Sequence, residues 1–232
     1  WISAASALAK FGFDCEKGYA ESGPHLIYFP EKKFEKSKFL KDVQEVYNKI
    51  GRATIVVAEG VADNIDHDKF TGEADEFGNA QFSGSGQLGD YLAYLVKENI
   101  VVNRALGKIR CRADTLGYMQ RSFVGMASSV DQQEAFLVGS AAVRYMMSGE
   151  SDKMVTLVRT SENPYRCSTS LCDLSLVAQK TKHLPQEMIN ASGNGVSQLF
   201  FDYALPLIDG IPKVAMLNPS FVSKKLTNYI RD

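Results

Sequence analysis

Apolar residues fall along this chain either in short unbroken runs or in stripes that recur every three to four positions. Leu26-Ile-Tyr-Phe29 is a run stopped by Pro30, and Thr54-Ile-Val-Val-Ala58 is a β-branched run of the kind buried on both faces of a sheet. Between them Phe39, Leu40, Val43, Val46, Tyr47 and Ile50 share one helical face, which Gly51 closes. A second stripe, Leu88, Tyr91, Leu92, Leu95 and Val96, predicts another helix, followed by a strand beginning near Arg112. A third helix is introduced by Ser129 with Gln132 three residues on, a capping-box spacing. It is expected to bury Phe136, Val138, Ala142, Val143, Met146 and Met147 and to end at Gly149, ahead of a strand at Met154-Val-Thr-Leu-Val158. Strands alternating with helices predict an α/β fold with a largely parallel sheet. Beyond Pro164 the pattern is less regular, with helices expected around Leu174 to Lys180 and Val196 to Tyr203. The opening Trp1–Gly12 segment is a strong helix former ending in glycine; it has neither methionine nor cap, and reads as a cut end with protein continuing upstream.

Composition narrows the function classes. The chain has 232 residues, 45% hydrophobic and 23% charged, as expected of a globular protein with a sizeable core. Lys+Arg 26 against Asp+Glu 27 leaves a net charge of -1, which gives no footprint for nucleic acid or an anionic membrane. No apolar run approaches the roughly 20 residues that span a bilayer, and the N-terminus does not read as a signal peptide. Cys15, Cys111, Cys167 and Cys172 make no secreted framework or zinc spacing and are expected to be reduced thiols of a cytoplasmic protein. The lysines between Lys32 and Lys41 interleave with Glu31 and Glu35, the pattern of a solvated face.

The candidate chemistry gathers at the carboxyl ends of the strands, where ligands of open α/β sheets sit. Glu59 follows the second strand, and Arg112-Ala-Asp-Thr-Leu-Gly-Tyr-Met-Gln-Arg-Ser122 ends in a turn carrying Tyr118, Gln120 and Arg121. Arg159 stands near the end of the last strand. Arginine suits phosphate because its rigid, permanently charged fork bonds two oxygens at once. A carboxylate such as Glu59 can accept bonds from sugar hydroxyls; capping a helix or pairing with a cation would serve it equally well. If the Arg112 stretch is extended, Arg112 lies about 20 Å from Tyr118. Arg112 and Arg121 then share one ligand only if one of them comes from a neighbouring subunit; otherwise Arg112 pairs with a surface acid.

Two motifs carry less. Gly84-Ser-Gly86-Gln-Leu-Gly89 matches a dinucleotide-binding pattern but follows a polar loop, with Gly107-Lys108 near the position of the ribose-binding acid, and reads as a glycine-rich helix entry. The Asp63, Asp66, His67 and Asp68 cluster lacks calcium-loop spacing and reads as part of a long solvated loop from Val61 to Gly86.

Several ordered blocks together resemble the phosphofructokinase family, most of all its pyrophosphate-dependent branch. They are Gly23-Pro-His-Leu-Ile-Tyr-Phe-Pro-Glu31, Val56-Val-Ala-Glu-Gly60, Arg112 through Ser122, Asp131 through Gly149, and Tyr203-Ala-Leu-Pro-Leu-Ile208. The resemblance implies a Rossmann-like layered fold and phosphoryl transfer from diphosphate or ATP to the 1-hydroxyl of fructose 6-phosphate. It implies that Glu59 contacts the sugar, that Arg121 binds the 6-phosphate beside Tyr118, and that Arg112 reaches the site of a neighbouring subunit in a homodimer or homotetramer. Tyr118 stands where ATP-using bacterial enzymes usually carry histidine, as in the pyrophosphate branch. The family's phosphate loop and catalytic aspartate motif have no counterpart here. No catalytic or metal-binding residue is therefore assigned to this chain, and Mg2+ is expected to be held mainly by an upstream half. On this reading residues 1–121 form a sugar-phosphate-binding lobe, 122–165 a helix and strand that pack on the other lobe and leave apolar surface exposed without it, and 166–232 a C-terminal helical segment. The alternatives are a non-catalytic sugar-phosphate-binding or regulatory module and, on the glycine pattern alone, an NAD-binding dehydrogenase half.

Overall fold

The computed structural model describes residues 1–12, 22–65, 87–102, 109–117, 119–123, 125 and 127–211. A parallel strand pair stands at its centre, β1 (Leu26–Tyr28) beside β2 (Ile55–Val57), in register Leu26↔Ile55, Ile27↔Val56 and Tyr28↔Val57. The crossover between them is α2 (Lys36–Ile50), and α3 (Gln87–Asn99) packs beside it. Phe39 and Val43 of α2 and Leu88, Leu92, Leu95 and Val96 of α3 are buried with Leu26 and Tyr28, as their stripes predict. Gly51 ends α2 at φ 78, donating its N–H to the Tyr47 carbonyl. The opposite face of the pair, Ile27 and Phe29, is covered by α1 (Ile2–Ala5), the 3-10 turns of Ser6–Gly12, and α7 (Gln198–Ala204) with Leu184 and Ile189. Helices on both faces of a parallel pair make the layered α/β arrangement. The free edge of β1 is closed by the turn at residues 190–195, where the Asn194 carbonyl accepts the Ile27 N–H at 2.9 Å.

Aspartate 42 ties these layers together. It is buried on α2 and its Oδ2 accepts from Lys38 at 2.6 Å, from Asn194 Nδ2 at 2.9 Å and from the Tyr28 hydroxyl at 3.0 Å. One carboxylate oxygen thus joins helix, strand and turn.

Several local expectations are corrected. Residues 109–116 form neither helix nor strand, so Arg112 does not open a strand; only Ile109 and Cys111 of that stretch pack on the core. Met154–Val158 belongs not to the parallel pair but to β3 (Lys153–Glu162), which pairs antiparallel with β4 (Tyr165–Asp173). α4 (Met119–Ser122) is one turn, α5 (Ser129–Met147) is long, and α6 (Leu174–Val177) is shorter than expected. The cap of α5 is Ser128, whose Oγ accepts the Asp131 N–H; Ser129 instead donates through both N–H and hydroxyl to Asp209. That segment therefore pins the helix start, and these bonds hold the Asp209 carboxyl below its usual range. Helix α5 buries only Ala141, while Phe136 is 78% and Met147 80% exposed. Val143, Met146, Met154, Leu157 and Val158 are likewise exposed on α5 and β3.

Candidate functional site

The loops that follow β1 and β2 leave the sheet at the same end because the strands are parallel. After β2 the chain turns at once into a 3-10 helix, Glu59–Asn64. Fully buried Val61 and Ala62 anchor that turn, and the Val61 N–H bonds the Ala58 carbonyl at 3.1 Å. Glu59 at its head is exposed, its carboxylate without a hydrogen bond or ion pair among the described residues. A rigid turn thus presents a free carboxylate at a strand end.

After β1 the chain presents Glu31, which interleaves with lysines in the pattern of a solvated face but is nearly buried. Its Oε1 accepts the Leu184 N–H at 3.0 Å, its carbonyl accepts from Gln186 Nε2 at 3.0 Å, and its side chain is 9% exposed. The other oxygen, Oε2, is buried without a partner among the described residues. A buried acceptor left unpaired costs about 1–3 kcal/mol. The available signal was its position directly after Pro30, at the end of a fully buried run.

Arg112 is exposed and makes no ion pair among the described residues. It lines a shallow cleft of about 310 Å³ with Asp90, Lys97 and Asp114, next to Cys111, whose thiol burial pushes up against the opposing charge of Lys97. Gly117 adopts φ 56, a left-handed bend that glycine adopts without strain, and α4 follows directly. The backbone of Gln120 and Arg121 therefore sits on one helical turn; their side chains, and Tyr118, lie outside the described residues. So do the Gly84–Gly86 part of the glycine pattern, Asp66, His67, Asp68 and the Asp63 side chain.

Arg159 leaves the candidate set because its guanidinium is already committed. It donates to Glu162 at 2.8 Å and to the Tyr203 carbonyl at 2.8 Å, and it stacks on the Tyr203 and Tyr165 rings at 4.4 and 4.8 Å. It clamps the β3–β4 ribbon to α7. Arg159→Lys keeps the charge but loses the fork and the stacking. Its expected cost is about 1–2 kcal/mol of unfolding free energy, read by denaturant titration; an unchanged midpoint would show that the clamp carries no stability.

No group of three or more His, Cys, Asp and Glu side chains that could hold a metal ion occurs among the described residues. No helix of the described residues is long and apolar enough to cross a membrane. Cys111, Cys167 and Cys172 are free thiols.

Comparison with known proteins places this geometry. The family model described as "Phosphofructokinase" matches residues 15–146. The pyrophosphate–fructose 6-phosphate 1-phosphotransferase of Rhodospirillum rubrum is 40% identical over 97% of this chain and 54% of its own length. The enzyme of the same name from Halomonas elongata is 31% identical over 99% of this chain and 53% of its own. The crystal structure of a pyrophosphate-dependent phosphofructokinase from Marinobacter aquaeolei superposes with a TM-score of 0.65 at 33% identity, covering 97% of this chain and 51% of that one. The chain spans about half the length of the curated relatives it matches. With its layered α/β architecture and a family match that runs from the approach to β1 through most of α5, this chain belongs to the phosphofructokinase family.

Proposed function

We propose that the whole protein transfers a phosphoryl group from diphosphate to the 1-hydroxyl of fructose 6-phosphate, giving fructose 1,6-bisphosphate, and that this chain carries the acceptor-binding half. The observation that carries the reading is the Rhodospirillum rubrum match along nearly the whole chain, together with the exposed Glu59 carboxylate at the end of β2. Glu59 accepts bonds from sugar hydroxyls. Arg121, beside Tyr118, holds the 6-phosphate with an Arg112 from a neighbouring subunit, in a homodimer or homotetramer. Fixing the acceptor by its far phosphate leaves the 1-hydroxyl free to meet the donor, and in such transfers positioning and charge neutralisation supply most of the rate.

Magnesium, when bound, would neutralise the donor's charge. We assign it, with the general base, to the half of the relatives' length that this chain does not match. Diphosphate is favoured over ATP by the names of the relatives. The test is a coupled assay of the whole protein. Fructose 1,6-bisphosphate should form with diphosphate and not when ATP replaces it; turnover with ATP alone would reverse the donor assignment.

A further inference from the structure

The last glycine of the pattern Gly84-Ser-Gly86-Gln-Leu-Gly89 stands in the first turn of α3, where glycine forms helix less well than any residue but proline. Its surroundings give a reason for it. Among the described residues, a Cβ built on Gly89 would meet only the Cβ of Ala113, at 2.9 Å. Two such carbons rest at about 3.5–4.0 Å, so alanine at this position would force the chains apart by about 0.6–1 Å. The Ala113 Cβ is fixed to its own backbone, and no side-chain rotation can relieve the collision.

The two sides of the contact differ in what holds them. Helix α3 is anchored by Leu88, one residue earlier, and then by Leu92, Ala93, Leu95 and Val96, all buried. Ala113 is exposed and belongs to residues 109–116, which form neither helix nor strand and reach the core only through Ile109 and Cys111. A collision at Gly89 therefore moves that stretch and leaves the helix where it is.

The residue carried along is Arg112, the immediate neighbour of Ala113. Gly89, Ala93 and Lys97 are spaced four apart on one face of α3. Ala93 and Lys97 line, with residues 111–114, the cleft of about 310 Å³ in which Arg112 lies. Two small residues at the start of this face thus let the stretch lie close against the helix.

We propose that Gly89 is a positioning residue for phosphoryl transfer: by leaving room for Ala113 it seats the stretch on α3 and sets the reach of Arg112 toward the 6-phosphate bound by the neighbouring subunit. This role rests on the reading of Arg112 as a phosphate-binding residue. It adds the part of the fold that aims the arginine.

The test is steady-state kinetics of the whole protein with diphosphate and fructose 6-phosphate. A misplacement of about 1 Å can cost about a hundredfold; a long arginine side chain absorbs part of it, so Gly89→Ala should raise KM for fructose 6-phosphate about five- to tenfold with kcat changed less than about twofold. Its thermal midpoint should be no lower than the parent's. Gly89→Ala/Ala113→Gly, which removes the colliding methyl, should return KM to that of Ala113→Gly alone; a KM that stays high would overturn the proposal. So would an unaltered KM in Gly89→Ala, or loss of its fold, which would make Gly89 a packing residue only. In an Arg112→Ala background Gly89→Ala should add nothing, and a further rise would mean that it acts through another group. If Arg112→Ala itself leaves KM unchanged, the reading of Arg112 fails and the role of Gly89 falls with it. An impaired Arg112→Ala beside an unimpaired Gly89→Ala overturns the role of Gly89 alone.

Discussion

Replacing Arg121 by alanine is expected to lower kcat/KM for fructose 6-phosphate by about two to three orders of magnitude, mostly through KM. Two charge-assisted hydrogen bonds to one phosphate are worth about 1.5–3 kcal/mol each and are not fully additive, so a loss of about 3–4 kcal/mol follows. Arg121→Lys should recover only part of it, since a point charge cannot reproduce the planar fork. The effect falls on KM because the phosphate grip is made in ground state and transition state alike. Arg112→Ala should give a loss of the same kind, and the two variants together test the subunit exchange. In a mixed dimer of Arg112→Ala and Arg121→Ala subunits, one site carries both defects and the other carries neither. Activity should therefore return when the two inactive proteins are unfolded and refolded together. If no activity returns, Arg112 acts within its own subunit, and the exposed position found for it has another use.

The second large effect is structural. Asp42→Ala should destabilise the fold by about 2–3 kcal/mol, because it leaves the buried Tyr28 hydroxyl and the part-buried Asn194 amide without their acceptor, while the half-exposed Lys38 ammonium turns to water. Burial alone would raise the carboxyl's pKa, but bonds from Lys38, Asn194 and Tyr28 outweigh it and hold Asp42 below the ordinary value of 3.8. A depressed folded-state pKa means that the carboxylate stabilises the protein above its unfolded value, and that this contribution fades as pH falls through the folded one. Parent and Asp42→Asn should thus differ most at neutral pH and converge in acid below that range. Denaturant midpoints measured between neutral pH and pH 3 would show this; a difference constant with pH would mean that Asp42 acts only through packing. Tyr28 moves the opposite way, its ionisation pushed well up by burial and by the neighbouring Asp42 charge.

Much of the fold was legible because its buried strands are unusually plain. Leu26 to Phe29 and Thr54 to Ala58 carry apolar residues on both faces, and the helix between them has a single clean stripe. The Arg112 stretch forms no strand because it has no ladder partner, a condition set by distant chain and invisible in the local sequence. Met154 to Val158 was correctly seen as a strand but given the wrong neighbour. Its partner, Tyr165 to Asp173, alternates serine, threonine and cysteine, which carries little hydrophobic contrast, and Pro164 reads as an interruption when it belongs to the tight turn joining the two. The apolar positions of α5 fall on more than one face, so their number could not say which side this chain would cover. At the site, Glu59 was legible from its place after a strand. Glu31 was not, because its distinction is one unpaired oxygen, and that follows from where Leu184 lies, over a hundred residues away in sequence.

Strand β1 also decides how the molecule can come apart. Its successive residues face opposite ways, Leu26 and Tyr28 into one apolar cluster and Ile27 and Phe29 into the other. Each cluster uses the same few residues as one of its walls. Neither can melt while the other stays intact, so the helices above and below the sheet unfold as a single cooperative unit. The β3–β4 ribbon has no residue in either cluster and is tied to α7 through Arg159, so it can open first once that clamp is released.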